Sequence, residues 1–272
     1  MSARVPVMLT IAGSDPSGGA GIQADVKTAS ALGVYAATVL TALTAQNTRG
    51  VTGIHAVPAQ FVRDQFDAVA TDLDIRAVKI GMLGDAALVE TVADLLTAHP
   101  VPAVVLDPVM VATSGDPLVP PDAVEAIRDR LLPLATVITP NLAEAHAVTD
   151  LSVADEEEME AAGRALVALG AGAALVKGGH GTGAEANDVL VSAHGVRWYG
   201  APRLDTPNTH GTGCTLSSGI AAGLVRGLSL VDAVALAKDF LTRALRSSAD
   251  LTYGSGHGPV DHLVDVHPGG RA

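Results

Sequence analysis

The sequence is poor in cysteine, in aromatic residues and in basic charge. Its one cysteine, Cys214, excludes an intramolecular disulfide and favours a reducing compartment. Aromatic residues make up only 3% of the 272 residues, so the core must be built from Ala, Val, Leu and Ile. Lys and Arg total 17 against 29 Asp and Glu. The formal net charge of -12 gives no electrostatic reason to bind nucleic acid or an anionic membrane surface.

Long hydrophobic runs and metal-binding histidine pairs are missing as well. The most apolar stretch, "ALVALGAGAALV" at 165–176, is too short to span a bilayer and is interrupted by glycine. The first apolar run, "VPVMLTIAG" at 5–13, is short, and no small-residue cleavage pattern follows it, so it predicts a buried strand. The nine histidines include no pair with the spacing of a zinc site. We therefore expect a cytoplasmic protein that contacts neither a membrane nor nucleic acid.

Short β-rich apolar runs alternate with longer patterns of helical spacing. The predicted strands are 5–13, 35–46, 76–83, 101–110, 135–141 and 173–179, and the predicted helices are 21–33, 58–73, 85–99, 122–132 and 157–170. A hairpin around His194-Gly195 follows, and two last helices begin near Gly211 and Leu230. This alternation predicts an α/β fold with a central, mostly parallel sheet, helices on both faces and three layers. We expect residues 1–272 to form a single domain.

The loop after the first predicted strand contains "GAGIQA" at 19–24, which matches a dinucleotide fingerprint only weakly. Six residues, 13–18, separate the fingerprint from the strand, and the second strand ends without a ribose-binding acid. The lysine of a P-loop is missing too. What remains is a long loop that leads to Asp25 on a helix, with Gln46 at the end of the second strand. The pair indicates either a site for a polar small molecule, or a solvated helix residue and an ordinary loop residue.

Other predicted strands also end in polar residues or glycine. The segments concerned are Gly81-Met82, Asp107-Pro108-Val109-Met110, Asn141 with Glu144, and Lys177-Gly178-Gly179. Each has an ordinary explanation as a turn, a capping box or a loop. Ligands of open α/β sheets bind at the carboxyl ends of the strands, however, and together these residues supply acids for a hard cation and a lysine for phosphate. They predict a site for Mg-ATP.

The lone cysteine follows a Gly-Thr-Gly turn at the start of a predicted helix. There the backbone N–H groups of Gly211, Thr212, Gly213 and Cys214 can converge on an anion, and the glycines leave room for it. Such a turn suits phosphoryl transfer. Cys214 itself is either a small packing residue or part of the chemistry.

These motifs occur in one order along the chain: "AGSDPSGGAGIQADVKT", "TALTAQNTRGV", "KIGML", "VVLDPVM", "GDPLV", "ITPNLAEA", "VKGGH", "NTHGTGCTLSS" and "GHGPV". Together they closely resemble the hydroxymethylpyrimidine and phosphomethylpyrimidine kinases of thiamin biosynthesis, within the ribokinase-like family. The resemblance runs from Ile11 to Val260. It implies a ribokinase-like fold, ATP and Mg²⁺ as cofactors, a homodimer, and two successive phosphorylations of 4-amino-5-hydroxymethyl-2-methylpyrimidine at one site.

The resemblance also implies roles for individual residues. Cys214 would stand where ribokinase-like relatives carry an aspartate base, as a base or a hydrogen-bond partner, on the turn formed with Gly211, Thr212 and Gly213. The pyrimidine pocket would comprise Gly13, Asp25, Gln46, Met82 and Val109. Asp107 and Glu144 would hold Mg²⁺, with Asn141 and Lys177 near the phosphates of ATP. The carboxamide of Gln46 offers a donor beside an acceptor, which matches the amine and ring nitrogen of an aminopyrimidine.

Three alternative functions remain at this stage. A pyridoxal or pyridoxine kinase is the nearest, because some relatives with the same Gly-Thr-Gly-Cys turn accept B6 vitamers. A thiol hydrolase that uses Cys214 and His210 is disfavoured, since no strained nucleophile elbow surrounds the cysteine. A non-catalytic sensor of small molecules would not need the glycines of the anion-binding turn.

Overall fold

The structure is a computed structural model that describes residues 4–110, 119–179 and 183–266. Most of the "GDPLV" motif and His180 of the "VKGGH" motif lie outside these residues. The described strands form a nine-stranded sheet in the order β3-β2-β1-β4-β5-β6-β7-β8-β9. The strands are β1 (Pro6–Ser14), β2 (Tyr35–Asn47), β3 (Gly50–Ala56), β4 (Asp74–Ile80), β5 (Val104–Leu106), β6 (Val137–Ile138), β7 (Ala173–Lys177), β8 (Asp188–Ser192) and β9 (Gly195–Tyr199).

Strand direction follows the sequence pattern. The six central strands β2, β1, β4, β5, β6 and β7 pair in parallel, as their continuous apolar runs predict for strands buried on both faces. At one edge β3 pairs antiparallel with β2, and at the other edge β7, β8 and β9 pair antiparallel. The sequence did not predict β3, because most of its residues are exposed and it lacks an alternating apolar face.

Helices cover both faces of the sheet. They are α1 (Gly21–Ala31), α2 (Ala59–Ala70), α3 (Ala86–Ala98), α4 (Pro121–Ala126), α5 (Leu142–Thr149), α6 (Glu156–Ala168), α7 (Thr212–Val225) and α8 (Leu230–Ser248). One apolar cluster joins the sheet to α2, α3, α5 and α6, and a second joins its other face to α1, α7 and α8. The expected three-layer fold is therefore confirmed. No helix in the described part of the chain has both the length and the apolar character that crossing a membrane requires.

Two glycines bring α7 unusually close to α8. A methyl group on Gly219 would lie 2.9 Å from Cβ of Ala237, and one on Gly223 would lie 2.8 Å from Cβ of Ala233. Contact at this distance leaves no space for a larger side chain at either position. The glycines therefore set how α7 packs, and with it where the first turn of α7 lies over the carboxyl ends of the strands.

Candidate active site

The first turn of α7 meets the carboxyl ends of β5 and β7. A Cβ on Gly213 would lie 3.3 Å from Nζ of Lys177 and 3.6 Å from Oδ2 of Asp107. Lys177 is the last residue of β7, and Asp107 directly follows β5. The structure thus brings together the turn, the lysine and one of the two carboxylates that the sequence assigned to a cation.

Asp107 is the centre of this cluster. Its carboxylate is buried and accepts a hydrogen bond from Nζ of Lys177 at 2.9 Å and one from Oγ1 of Thr139 at 3.1 Å. Oγ of Ser217, on α7, lies 3.1 Å from the other carboxylate oxygen. Burial alone would raise the pKa of Asp107, but the charges of Lys177 and Lys79 outweigh it and hold the pKa below its usual range. The carboxylate is therefore ionised at neutral pH.

Glu144 is a second carboxylate near Lys177. Its Oε2 lies 3.9 Å from Nζ of Lys177 and accepts the backbone N–H of Asn141 at 2.8 Å. The side chain of Asn141 accepts the N–H of Glu144 in return, so the capping-box explanation of this pair is confirmed. Burial raises the pKa of Glu144 to about 7; Lys177 opposes this rise, and Asp107 adds to it. The side chain of Asn141 is thus occupied in the capping box, where it holds Glu144 in place.

The turn itself depends on glycine. Gly211 has a φ of 79°, and a Cβ there would overlap the carbonyl oxygen of Gly19, so both conformation and space require glycine. The N–H of Thr212 points back to the carbonyl of Thr209 at 3.3 Å. The structure therefore differs from the expectation of four converging donors. Gly213 and Cys214 lie in the first turn of α7, where backbone N–H groups have no acceptor within the helix.

The thiol of Cys214 lies between α7 and α1. The backbone N–H of Gly21, at the start of α1, lies near the thiol and acts to lower the pKa of Cys214. One turn further along both helices, Oγ of Ser218 donates to Asp25 at 2.6 Å. Burial raises the pKa of Cys214 to about 11, with Asp25 and Asp107 adding to the rise and Lys79 opposing it. Cys214 is thus a neutral thiol at pH 7, on a residue that as a whole is half-buried.

Asp25 is not a solvated helix residue, so that alternative was wrong. Both its carboxylate oxygens contact Nζ of Lys79, at 2.9 and 3.0 Å, and both side chains are fully buried. Oγ1 of Thr10 donates to the same carboxylate at 2.6 Å, in addition to Ser218. In this arrangement Asp25 forms the floor beneath the turn rather than an open ligand.

Sequence reasoning missed Lys79. The signal was available, because a lysine inside an otherwise apolar strand must be paired if it is buried. Burial would lower its pKa, but the neighbouring Asp25, Cys214 and Asp107 raise it, so the lysine stays charged.

The long loop after β1 closes around its own acid. The carboxylate of Asp15 accepts the N–H groups of Ser17, Gly19 and Ala20 and lies 2.8 Å from Nε2 of His210. Burial would raise the pKa of Asp15, but these hydrogen bonds, above all that from His210, lower it to about 2. The N–H groups that would cradle a pyrophosphate are therefore already used. This explains why "GAGIQA" is not a dinucleotide site.

The remaining pocket residues lie at the carboxyl ends of four strands: Gly13 in β1, Gln46 in β2, Met82 just beyond β4 and Val109 just beyond β5. Nε2 of Gln46 lies 3.3 Å from Nε2 of His210. When Nε2 of His210 carries a proton and donates it to Asp15, this nitrogen cannot also accept a hydrogen bond from the amide of Gln46. The amide N–H₂ of Gln46 is thus left to donate to a ligand. A Cβ on Gly13 would lie 2.6 Å from Cε of Met82, so those two residues are in contact. Val109, partly exposed, stands two residues beyond Asp107.

A sequence model described as "Phosphomethylpyrimidine kinase" matches residues 15–261. The chain belongs to this kinase family. It is 54% identical over 258 residues to the hydroxymethylpyrimidine/phosphomethylpyrimidine kinase of Rhizobium meliloti, covering 94% of this chain and 97% of that one. The expected family and phosphotransferase class are therefore confirmed, and membership implies ATP as a substrate.

Two solved structures resemble the fold. The ADP complex of Bacillus subtilis pyridoxal kinase has a TM-score of 0.88 at 34% identity, covering 95% of this chain and 98% of that one. The phosphomethylpyrimidine kinase of Clostridium difficile has a TM-score of 0.79 at 39% identity, covering 89% and 99%. The fold is thus the one expected from the ribokinase-like resemblance.

His262 supports the turn from the C-terminal segment. Its Nε2 lies 2.9 Å from Oγ1 of Thr215, which donates to the carbonyl of Gly211 at 2.8 Å. Burial lowers the pKa of His262 to about 4; the charge of Lys27 adds to this, and Asp261 opposes it. The ring is therefore neutral at pH 7 and donates through Nε2.

Replacing Lys79 by Met should destabilise the fold by about 3 to 5 kcal/mol, because the charge of Asp25 would remain buried without a partner. Adding Asp25→Asn should recover part of this loss. As a control, Arg63→Met breaks the Arg63–Asp94 pair, whose side chains are 35% and 51% exposed, and should cost less than about 1 kcal/mol. Urea unfolding measures the free energy of unfolding of wild type, Lys79→Met, the Lys79→Met/Asp25→Asn double variant and Arg63→Met. Equal losses in Lys79→Met and Arg63→Met would contradict the importance of the buried pair.

His262→Asn should remove part of the acid sensitivity of the fold. Unfolding returns the pKa of His262 from about 4 to an ordinary 6.5, so the unfolded chain binds the proton more readily. Stability is therefore lost as the pH falls from 6.5 to 4, by up to about 3 kcal/mol from this residue. Denaturant unfolding at several pH values should show a shallower loss in the variant. The exposed His194, changed to Asn, is the control; a slope equal to that of wild type in both variants would refute the assignment.

Proposed function

We propose that the chain transfers the γ-phosphoryl group of ATP to the hydroxymethyl group of 4-amino-5-hydroxymethyl-2-methylpyrimidine, and then a second phosphoryl group to the monophosphate. The observation that carries this proposal is that Lys177 meets the first turn of α7, with the N–H groups of Gly213 and Cys214 and the Cys214 thiol, at the carboxyl ends of β5 and β7 in a chain of this family. The place in thiamin biosynthesis follows from the motif resemblance.

The pyrimidine is proposed to bind beside Gln46, Gly13, Met82 and Val109. The amide of Gln46 donates to the ring nitrogen or accepts from the exocyclic amine, and the Gly13–Met82 contact supplies an apolar wall. Asp25 acts indirectly, since its oxygens already accept from Lys79, Thr10 and Ser218. It holds α1 and α7 together beneath the reacting hydroxyl.

The phosphates of ATP are proposed to lie between Lys177 and the first turn of α7. The ammonium group and the two N–H groups neutralise charge that develops on the transferred phosphoryl group. Because they are held by the fold before substrate binds, little reorganisation is needed in the transition state. Burial acts to lower the pKa of Lys177, but the charges of Asp107 and Glu144 raise the pKa by more than burial lowers it, so Lys177 keeps its charge.

The residues present fit a magnesium ion. No cluster of three or more His, Cys, Asp or Glu side chains suited to a metal occurs among residues 4–110, 119–179 and 183–266. Magnesium is commonly bound by one or two carboxylates together with substrate phosphates, however, and Asp107 and Glu144, which both lie within 4 Å of Nζ of Lys177, offer such a pair of hard oxygen donors. When bound, the ion would offset the negative charge of the phosphates.

Cys214 is proposed to position the substrate hydroxyl by a hydrogen bond. With a pKa of about 11, only a small fraction of the thiol is ionised at pH 7, which disfavours a standing thiolate base. A loose phosphoryl-transfer transition state needs little deprotonation of the attacking hydroxyl before bond breaking. The packing explanation alone is less suitable, since Cys214 lies in the first turn of α7, beside the proposed phosphate site, and the residue is only half-buried.

One observation favours a second candidate, pyridoxal kinase. The TM-score is higher with the pyridoxal kinase of Bacillus subtilis, at 0.88, than with the phosphomethylpyrimidine kinase of Clostridium difficile, at 0.79. Sequence identity instead favours the pyrimidine kinases. A hydrolase that uses Cys214 as its nucleophile finds no such support, because burial raises the pKa of the thiol to about 11 and leaves little of the reactive thiolate at pH 7. The single domain spanning 1–272, the homodimer and the cytoplasmic location stay predictions of the sequence.

The proposed activity is tested with Mg-ATP and hydroxymethylpyrimidine. Both the monophosphate and the diphosphate should form, and chromatography separates them. Pyridoxal in place of the pyrimidine is the comparison. If pyridoxal phosphate forms and neither pyrimidine product does, the second candidate replaces this proposal. If ATP is consumed with neither the pyrimidine nor pyridoxal present as acceptor substrate, or is not consumed when either is added, both candidates are refuted.

Cys214→Ser should keep most of kcat, because serine also donates and accepts a hydrogen bond, whereas Cys214→Ala should lose about tenfold, the scale of one net hydrogen bond. The kcat of wild type should be nearly flat from pH 8 to 9, above the pKa of about 7 of Glu144. A thiolate base would instead make kcat rise with pH toward its pKa of about 11 and would make Ser as poor as Ala. Steady-state kinetics of the three proteins across that pH range distinguish these outcomes.

A further inference from the structure

Arg203 binds the loop that follows Lys177. Its Nε donates to the backbone carbonyl of Gly183 at 2.7 Å. Its Nη2 donates to the backbone carbonyl of Glu185 at 3.0 Å and to the backbone carbonyl of Gly178 at 3.3 Å. Nη1 donates to the carbonyl of Gly179, and the backbone N–H of Arg203 donates to Ala184 at 2.9 Å. One guanidinium group thus holds four carbonyl oxygens, those of Gly178, Gly179, Gly183 and Glu185, and these four residues are called the Lys177 loop below.

The contacts of Arg203 are unusual for a positive side chain. Within the described ranges of the chain, no carboxylate forms an ion pair with it. Its partners are neutral carbonyl groups, so its charge is not cancelled by contact. The planar fork of five N–H donors is well suited to bind several oxygens at once, which a lysine ammonium group cannot do in the same geometry.

The loop that Arg203 binds is also held from the sheet. The N–H of Gly178 donates to Oδ1 of Asp188 at 3.0 Å, and the other oxygen of Asp188 accepts from Nζ of Lys238 on α8 at 2.7 Å. A Cβ on Gly178 would overlap the carbonyl oxygen of Asn187. The beginning of the loop, next to Lys177, is therefore fixed on one side by β8 and α8, and Arg203 supplies the hold on the other side.

Arg203 also connects this loop to the anion-binding turn. It lies in the segment between β9 and α7 that continues to Asn208 and His210. Asn208 is buried and donates to the carbonyl of Leu251 at 2.8 Å, and the N–H of His210 donates to Gly258 at 3.0 Å. The segment is thus anchored at its far end, so Arg203 links the Lys177 loop to the turn at Gly211–Cys214.

We propose that Arg203 is a positioning residue for the nucleotide, setting the distance between the Lys177 loop and the first turn of α7. This inference rests on the proposed function, which places the phosphates of ATP between those two segments. The pyrimidine pocket lies instead at the ends of β1, β2, β4 and β5, which Arg203 does not bind. Loss of Arg203 should therefore weaken ATP binding and leave pyrimidine binding intact.

Arg203→Met and Arg203→Lys test this inference beside Arg197→Met. Arg197 is an exposed arginine on β9 whose guanidinium lies 5.8 Å from the centre of the Tyr199 ring, so its loss matches the change in charge without touching the loop. In Arg203→Met we expect the KM for ATP to rise about tenfold, since the loop must be ordered at the expense of binding energy. The KM for hydroxymethylpyrimidine should stay within twofold of wild type, as should both constants in Arg197→Met.

Loop order is measured separately from activity. A glutamate-specific protease should cleave after Glu185 faster in Arg203→Met than in wild type or Arg197→Met, with the fragments identified by mass. Arg203→Lys should share both defects, because the charge remains but the fork is lost. Wild-type KM for ATP and wild-type cleavage in Arg203→Met would overturn the inference, as would full recovery by Lys. If Arg203→Met does not fold, the Lys variant decides by the same two criteria.

Failure of the proposed function has a different signature. In that case wild type would form no pyrimidine phosphate, whereas calorimetric titration with ATP would still compare the affinities of wild type and the Arg203 variants. Equal ATP affinities together with equal cleavage rates would then refute the role of Arg203, whatever the acceptor substrate is.

Discussion

The buried ion pair between Asp25 and Lys79 is the interaction on which the site depends. Burying two charges is costly, and the pair is tolerable only because Thr10 and Ser218 satisfy the same carboxylate. These four residues come from α1, α7, β1 and β4, so the pair joins two helices and two strands at one point. Gly21 and Cys214 lie one turn before Asp25 and Ser218 on α1 and α7, so the contact between Asp25 and Ser218 holds the two helices together next to the cysteine.

Neighbouring charges decide how each group near the turn is protonated. Asp107 stays ionised because two lysines face it, whereas the pKa of Glu144 rises to about 7 because burial and Asp107 oppose its charge. Cys214 stays a thiol for a similar reason, although a helix N-terminus favours the thiolate. The local effect of the helix is outweighed by burial and by two carboxylates. Position on a helix therefore does not by itself predict the state of a cysteine.

Two glycine-rich segments of this chain have opposite electrostatic roles. The loop after β1 is filled by the carboxylate of Asp15, which accepts N–H groups of its own loop. The turn before α7 contains no such acid and leaves the N–H groups of Gly213 and Cys214 available. Both segments look alike in the sequence, since each has closely spaced glycines before a helix. The presence of an internal acceptor is what separates a self-satisfied loop from an anion site.

The sequence by itself determined the α/β class, the parallel centre of the sheet and the set of motifs at the strand ends, because strand burial and helix amphipathicity are periodic along the chain. The capping box of Asn141 and Glu144 was also predictable, since its partners are three residues apart. Only the tertiary structure decided that Asp25 is closed off by Lys79, that the N–H of Thr212 is turned away and that Arg203 holds the Lys177 loop. Asp25 and Lys79 are 54 residues apart and Asp25 and Ser218 are 193 apart, and no local pattern encodes contacts at such separations. They arise when the sheet order places β1 beside β4 and packs α1 against α7, which depends on the summed burial of the whole core.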